Sequence, residues 1–265
     1  MLILGYILCF GMGVTLGLIG AGGSILIFPI LVYFFFINPV LATSYSLIAV
    51  AITALIGSIQ NYRTQSLNIK LGLIFSIPII LSTYLTRRYL LPFIPEQILL
   101  NNIIIFKDTF ILFLFVFLMI LASFIMLKSK VNSSEIIEIK NNKLLSNNLL
   151  VIAGVFIGLF TGLVGAGGGF LIIPALVVFF KLNMRIAIGT SLFIIFLKSA
   201  IGVIGDIQVG ININYKLIIL ILLFTGVGVL LGSKLKQILD SEILKKIFGI
   251  IILIIAVIIV FIELS

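Results

Sequence analysis

The sequence predicts an all-α polytopic membrane protein built from two homologous halves. Three observations support this fold class: the composition, a series of apolar runs, and a repeat at constant spacing. Of the 265 residues, 62% are hydrophobic and 9% are charged, whereas a soluble domain is about half apolar and about a quarter charged. Because this small number of charged side chains cannot cover a water-exposed surface, lipid must solvate most of the protein.

The apolar runs form two series of five. The first series covers approximately residues 2–19, 23–37, 40–60, 69–92 and 103–127, and the second covers approximately residues 149–164, 169–181, 186–205, 213–232 and 242–263. Each run is predicted to be helical because a backbone in lipid must satisfy its own hydrogen bonds. We therefore predict an N-terminal repeat at 1–127, a cytoplasmic connector at 128–148 and a C-terminal repeat at 149–265.

The two series match each other at a spacing of 145 residues. Residues 17–23, Gly-Leu-Ile-Gly-Ala-Gly-Gly, agree with residues 162–168, Gly-Leu-Val-Gly-Ala-Gly-Gly, at six of seven positions. The same spacing pairs Pro29 with Pro174, Asn38 with Asn183, Ser46 with Ser191, and Gly57 with Gly202. An ungapped match of this length predicts an internal duplication.

The loop charges predict that the two halves are inverted relative to each other. If each half makes an odd number of net crossings, 12 basic residues lie on one side of the membrane and 4 on the other. An even number of crossings would place 9 basic residues on one side and 7 on the other. The positive-inside rule favours the odd number, with both termini outside and the connector in the cytoplasm. The basic residues then predicted to be cytoplasmic are Arg63, Lys70, Lys128, Lys130, Lys140, Lys143, Lys181, Arg185, Lys234, Lys236, Lys245 and Lys246.

A glycine-rich break interrupts the beginning of each half. As one helix, residues 2–37 would be about 54 Å long, nearly twice the hydrocarbon core, whereas residues 169–181 cover only about 20 Å. We predict a broken or re-entrant hairpin in each half, followed by three spanning helices, with 8 to 10 apolar segments in total. The glycine turn then lies at membrane depth, where irregular backbone must be buried in protein or line a polar cavity.

The helices that begin after these breaks are suited to anions. Their first N–H groups are unpaired, the positive end of the helix dipole lies there, and glycine lets a ligand approach the backbone closely. Helix packing is the competing interpretation, because Gly13-x-x-x-Gly17 fits a small-residue contact, but duplication of the cluster favours a site. The candidates are Gly20, Ala21, Gly22, Gly23 and Ser24, and in the second half Gly165, Ala166, Gly167, Gly168 and Gly169.

The third segment of each half supplies further candidate side chains. They are Thr43, Ser44 and Ser46 in the first half and Thr190, Ser191 and Lys198 in the second. Lys198 lies near the bilayer interior, where a lone charge costs several kcal/mol. It is explained either as an electrostatic partner for a small anion, or as a lysine that snorkels to the outer interface or pairs with Asp206.

The composition also argues against several functions. The chain has no histidine and one cysteine, Cys9, so neither a metal site nor a cofactor is predicted. The net charge of +9 arises mostly in short loops and indicates membrane orientation rather than nucleic acid binding. An enzyme within the membrane would need a nucleophile with a base, or a metal, and the residues for either are missing.

The glycine motifs also identify a family resemblance. Two copies of Gly-Leu-x-Gly-Ala-Gly-Gly, each followed by a proline-containing helix, and the sequence Ala187-Ile188-Gly189-Thr190-Ser191-Leu192 resemble the TauE/SafE family over essentially the whole chain. The resemblance implies export of sulfite, sulfoacetate or other small sulfur-containing anions. The first half departs from the pattern, since Ala42-Thr43-Ser44 matches Gly189-Thr190-Ser191 only after a two-residue shift. Which hydroxyl of the first half is equivalent to Ser191 therefore stays open.

These observations together predict a secondary transporter in the cytoplasmic (inner) membrane. Its partners would be a small inorganic or organic anion and the lipid bilayer, and a homo-oligomer is left open. Transport would follow from one half rocking against the other. The alternative is an anion channel whose pore is lined by the glycine-rich helix N-termini.

Overall fold

The computed structural model of the chain describes residues 2–20, 22–37, 39–90, 93–95, 97–100, 103–128, 147–164, 169–208 and 214–264. At some of these positions, Ser24 and Thr43 among them, the description is limited to the backbone. Ala21 and residues 165–168, which the sequence predicts to bind the anion, lie outside the described residues, as do residues 129–146 of the connector.

The described ranges are almost entirely helical. The helices are α1 (Leu2–Ile19), α2 (Gly22–Tyr33), α3 (Pro39–Arg63), α4 (Ile69–Leu85), α5 (Lys107–Lys128), α6 (Asn147–Val164), α7 (Gly169–Pro174), α8 (Met184–Gln208), α9 (Tyr215–Ile238) and α10 (Ser241–Leu264). Helix α4 continues as a π-helical turn at Thr86–Leu90, and α7 continues as one at Ala175–Phe179. The prediction of a helical polytopic fold is confirmed.

One short stretch differs from the prediction. Residues Gln97–Leu100 (β1) and Ile103–Phe106 (β2) form an antiparallel strand pair, so the fifth helix begins at Lys107 and not at residue 103. Both strands are rich in isoleucine and leucine, and a short apolar run of this kind does not distinguish strand from helix by its periodicity.

Within the described ranges, five helices are long and apolar enough to cross a bilayer: Ser44–Arg63, Ile69–Leu90, Met184–Ile204, Tyr215–Ile238 and Ser241–Phe261. The helices at the beginning of each half are shorter, and α2 has 12 residues, which corresponds to about 18 Å against a core of about 30 Å. The chain is therefore a multi-pass membrane protein that combines long spanning helices with groups of shorter apolar helices.

The first glycine cluster interrupts helices, as predicted, whereas residues 165–168 of the second cluster lie outside the described residues. In the first, α1 ends at Ile19 and α2 begins at Gly22; Gly20 between them has φ 83°, a left-handed conformation that favours glycine. In the second, α6 ends at Val164 and α7 begins at Gly169. The π-helical turn begins directly after Pro174, which lacks the N–H group that an unbroken helix would use.

The segments that follow α2 and α7 end in the same way. The Ile37 N–H group donates to the Leu31 carbonyl oxygen and the Leu182 N–H group donates to the Leu176 carbonyl oxygen, both at 3.1 Å. The residues before them, Phe36 and Lys181, have φ 55° and 50°. The same wide turn, closed by a hydrogen bond that spans six residues, thus occurs at positions 145 residues apart.

Helices α3 and α8 pack against each other in opposite directions. A Cβ atom on Gly57 would lie 2.9 Å from Cδ1 of Leu192, and one on Gly202 would lie 3.3 Å from Cδ1 of Leu47. The two contacts are reciprocal, because both residue pairs are related by the 145-residue spacing. The antiparallel α3–α8 pair forms the centre of the fold.

Close glycine contacts hold the first helix of each half to the fourth helix of the other half. A Cβ atom on Gly13 or Gly17 of α1 would collide with the carbonyl oxygens of Thr225 or Val229 on α9. Gly158 of α6 lies in the same way against Ile79 of α4. The packing interpretation of the Gly-x-x-x-Gly pairs is therefore correct for these residues, and it leaves the downstream glycines free for another role.

Candidate functional site

Buried polar side chains are concentrated on the central helix pair. Helices α3 and α8 carry these side chains in a largely apolar core, and the short helices α2 and α7 pack against them. Of the predicted hydroxyls, Ser44, Ser46, Thr190 and Ser191 are all buried. The candidate site is therefore assembled where the full spans meet the interrupted helices.

The first glycine break lies directly against α8. A Cβ atom on Gly20 would lie 2.9 Å from the hydroxyl oxygen of Ser191 and 3.0 Å from the carbonyl oxygen of Ile188. The Ser191 hydroxyl donates to that same carbonyl at 2.8 Å. Two predicted site residues from different halves are thus brought together, and the close approach requires glycine at position 20.

Lys198 lies inside the helix bundle and is 9% exposed. Its Nζ donates to Oγ1 of Thr161 at 2.6 Å. The Thr161 hydroxyl lies 3.4 Å from that of Thr83, so the ammonium group is next to a pair of hydroxyls between α4 and α6. Lys198 therefore does not snorkel to lipid; the Asp206 side chain lies outside the described atoms, and pairing with it stays untested.

Thr161 is a site residue that sequence reasoning missed. It lies near the end of α6, four residues before Gly165. The hydrogen-bond partner of Lys198 is therefore close in sequence to the second glycine cluster. The available signal was a polar residue immediately before the glycine cluster. Its partner at the 145-residue spacing is Leu16, so comparison of the repeats did not reveal it.

The Thr190 hydroxyl has a structural partner that the sequence did not predict. Its oxygen accepts a hydrogen bond from the Asn68 N–H group at 3.1 Å, and Asn68 also caps the first turn of α4. At the matching position of the other half, the Tyr45 hydroxyl accepts from the Asn214 N–H group at 2.6 Å, and Asn214 caps α9. Thr190 and Tyr45 thus anchor the beginnings of α4 and α9.

The remaining candidates are placed as follows. Gly22 and Gly23 form the first turn of α2, where the Ser24 backbone also lies. Gly169 is the buried first residue of α7, and Thr43 lies on α3. The described residues include no group of three histidine, cysteine or acidic side chains that could hold a metal. The site therefore offers hydroxyls, a buried ammonium group and the beginnings of helices, which are donors suited to an anion.

Comparison with known proteins shows which family the chain belongs to. The model of the family described as sulfite exporter TauE/SafE matches residues 5–259. The chain belongs to this family. As a TauE/SafE member with five helices long enough to span a bilayer, it is a multi-pass membrane protein of a transporter family, and the resemblance predicted from the glycine motifs is confirmed.

Related TauE/SafE-like chains come from bacteria and an archaeon. The probable membrane transporter protein YdhB of Bacillus subtilis is 29% identical over 237 residues, 89% of this chain and 91% of its own length. YjnA of the same organism is 28% identical over 242 residues, 91% of this chain and 93% of its own length. A probable membrane transporter protein of Methanocaldococcus jannaschii is 36% identical over 121 residues, 43% and 45% of the two chains. No solved structure matches the chain.

One cationic residue differs from its predicted role. The loop charges group Lys236 with residues that orient the helices, but it lies within α9 and is 1% exposed. Its Nζ donates to Oδ1 of Asn61 and, at 3.5 Å, to the carbonyl oxygen of Arg185. Lys198 is therefore not the only buried lysine of the described chain. Hydropathy missed Lys236 because it lies at the end of an apolar run.

Proposed function

We propose that this protein is a secondary transporter that exports small anions, foremost sulfite, organosulfonates or other sulfur-containing anions, across the cytoplasmic membrane. The observation that carries the proposal is the buried Lys198, whose ammonium group is held by Thr161 just before the second glycine break. A buried cation in a membrane protein marks the path of a substrate or ion by default. Membership of the sulfite exporter family supports sulfite as the first anion to test.

We infer an inverted internal duplication as the basis of transport. The turns at Phe36–Ile37 and at Lys181–Leu182 have the same backbone hydrogen bond and lie at positions 145 residues apart. The contacts follow the same rule: α1 packs on α9 as α6 packs on α4, and α3 meets α8 in antiparallel fashion. These features support repeats at 1–127 and 149–265 joined by a cytoplasmic connector at 128–148. Rocking of one repeat against the other would give alternating access.

The proposed binding groups come from both repeats. The turn at Gly20 lies before the first N–H groups of α2, and Ser191 lies against Gly20. The glycine-rich residues 165–168, which lie outside the described residues, are the proposed equivalent before α7. Ser24, Thr43, Ser44, Ser46 and Thr190 complete the proposed set of hydroxyls. Lys198 supplies the positive charge that discriminates an anion from a neutral solute.

Transport in liposomes tests the proposal directly. We expect the purified protein to release sulfite at a rate that saturates with concentration, and labelled sulfite to show counterflow against unlabelled sulfite. Organosulfonates, thiosulfate and sulfate would be compared as competitors. A current that rises without saturation and without counterflow would instead establish the channel alternative.

A further inference from the structure

A second cationic cluster lies away from the Lys198 region, where α3, α8 and α9 meet. Lys236 belongs to the last turns of α9, Arg185 to the first turn of α8 and Asn61 to the last turn of α3. The end of α3 and the beginning of α8 adjoin, because a Cβ atom on Gly189 would lie 3.0 Å from Cβ of Asn61. The loop charges predict that all three residues lie on the cytoplasmic side.

The partners of Lys236 are neutral oxygen atoms. Its ammonium group donates to the side-chain oxygen of Asn61 and to the backbone oxygen of Arg185. The Asn61 amide nitrogen donates to the Gly57 carbonyl oxygen at 2.7 Å, which holds the amide oxygen towards the lysine. Across the described ranges, no carboxylate forms an ion pair with this lysine.

Arg185 adds a second positive charge to the cluster. One guanidinium nitrogen, Nη2, donates to the Leu239 carbonyl oxygen at 2.8 Å, while Nε is buried and has no hydrogen-bond partner among the described atoms. The charges of Arg185 and Lys236 also act on each other electrostatically. Lys236 is buried and Arg185 is partly buried, so two neighbouring cations with neutral partners leave an excess of positive charge that is costly without an anion.

We propose that Lys236, Arg185 and Asn61 form a second anion subsite, at the cytoplasmic end of the contact between the two repeats, where a small oxyanion binds before it reaches the Lys198 region. This inference rests on the proposed export function, because export from the cytoplasm is what makes the anion meet this subsite before the Lys198 region. The anion accepts from Lys236 Nζ and Arg185 Nε and so supplies the missing negative charge. Because Asn61 belongs to one repeat and the two cations to the other, occupancy also changes the contact between the repeats.

A structural role for Lys236 makes a different prediction at position 61. A lysine needed only to join α9 to α3 would be served better by a carboxylate than by an amide. The matching position of the second half carries Asp206, so both residue types occur at this point of the repeat. Asn61→Asp therefore separates the two roles: it strengthens a structural contact but places a competing negative charge in an anion subsite.

The first experiment compares Lys236→Gln with Lys234→Gln in membrane vesicles of defined orientation, with sulfite as the probe. Lys234 lies on the same helix and is exposed, so it is the matched control. We expect Lys236→Gln to raise the half-saturating concentration on the cytoplasmic side about tenfold or more, as loss of a charged hydrogen bond predicts, and to leave the other side unchanged. Equal values for the two variants would overturn the proposal.

The second experiment measures binding without transport. Sulfite and sulfate are added to the purified protein in detergent, and the shift in melting temperature is recorded. We expect Asn61→Asp to fold at least as stably as the parent and to lose most of the anion-dependent shift, while Lys234→Gln keeps it. An unchanged shift in Asn61→Asp and Lys236→Gln would refute the subsite. Binding that depends on Lys236 in a protein that transports none of the tested anions would refute the export function alone.

Discussion

Lys198 and Lys236 are two buried lysines that lie in different parts of the helix bundle. Both are buried, and both donate to uncharged oxygens, the first to the Thr161 hydroxyl and the second to the Asn61 amide. Burying a charge costs free energy, so such residues are kept for a function. In the proposed mechanism they mark successive positions of one anion along the contact between the repeats.

Replacing Lys198 by methionine should lower the rate of transport about tenfold or more without loss of folded protein. Methionine fills similar space without carrying a charge, whereas the anion loses a charge-assisted hydrogen bond of about 1.5–3 kcal/mol. The measurement is the rate of sulfite release from liposomes, with the melting temperature of the purified variant as a check on folding.

The control for Lys198 is Thr53→Val. Thr53 occupies the matching position on α3, and its hydroxyl donates to the Ala49 carbonyl oxygen of its own helix at 2.6 Å. Transport by this variant should stay within about twofold of the parent, because the lost bond is local to the helix. Unchanged sulfite release by Lys198→Met would contradict the role assigned to the lysine.

Gly20 should be far less tolerant of alanine than Gly11 of the same segment. Gly20 has φ 83° and lies against Ser191 and Ile188, so a methyl group costs about 1–2 kcal/mol in backbone strain in addition to the steric clash. At Gly11 no atom lies within 4 Å of a new Cβ atom. Melting temperature and sulfite release should both fall for Gly20→Ala and stay near the parent values for Gly11→Ala.

At the scale of elements, the α1–α9 pair depends on glycine from both sides. Gly228 and Gly232 of α9 lie against the backbone carbonyl oxygens of Phe10 and Val14 on α1, while Gly13 and Gly17 lie against carbonyls of α9. In lipid, close packing replaces the hydrophobic effect as the force between helices. This interface therefore sets the position of α1, and with it the position of the Gly20 turn.

Alanine at Gly228 or Gly232 should separate α1 from α9. A backbone carbonyl cannot move aside as a flexible side chain can, so each change should cost about 1–3 kcal/mol. Gly226→Ala is the control on the same helix, because its Cβ atom would meet Ile56 at an ordinary 3.5 Å. In detergent, the melting temperature of Gly226→Ala should be higher than those of the other two variants. Three equal melting temperatures would show that the close contact does not limit stability.

At the scale of the whole molecule, the inverted arrangement predicts where loops lie. Starting from Cys9→Ala, single cysteines at positions 133 and 241 should react with an impermeant thiol reagent from the cytoplasmic side, and one at position 216 from outside. The physical basis is the excess of basic residues on one side. Opposite labelling of Ser133→Cys and Ser241→Cys would refute the arrangement, and Lys216→Cys shows that both sides can be labelled.

Helix type and position were largely predictable because they follow from local hydropathy. The interruption of helices at the first glycine cluster was predicted, and α3 and α8 both begin within a few residues of the predicted starts. The strand pair β1–β2 was not predicted, because a short apolar run is ambiguous between helix and strand. The partners of Thr190 and Lys198 were also beyond prediction, since Asn68 is 122 residues from Thr190, and Thr161 is 37 from Lys198.

The sequence by itself determined that the chain lies in lipid, that its motifs repeat at a 145-residue spacing and that it belongs with the TauE/SafE exporters, because composition and motif spacing are properties of the chain alone. Only the tertiary structure decided which side chains meet. In the structure Gly20 lies against Ser191, and Lys198 donates to Thr161. Lys236, which the loop charges group with the orienting residues, is buried and donates to Asn61. Such contacts depend on how helices distant in sequence pack, which hydropathy does not record.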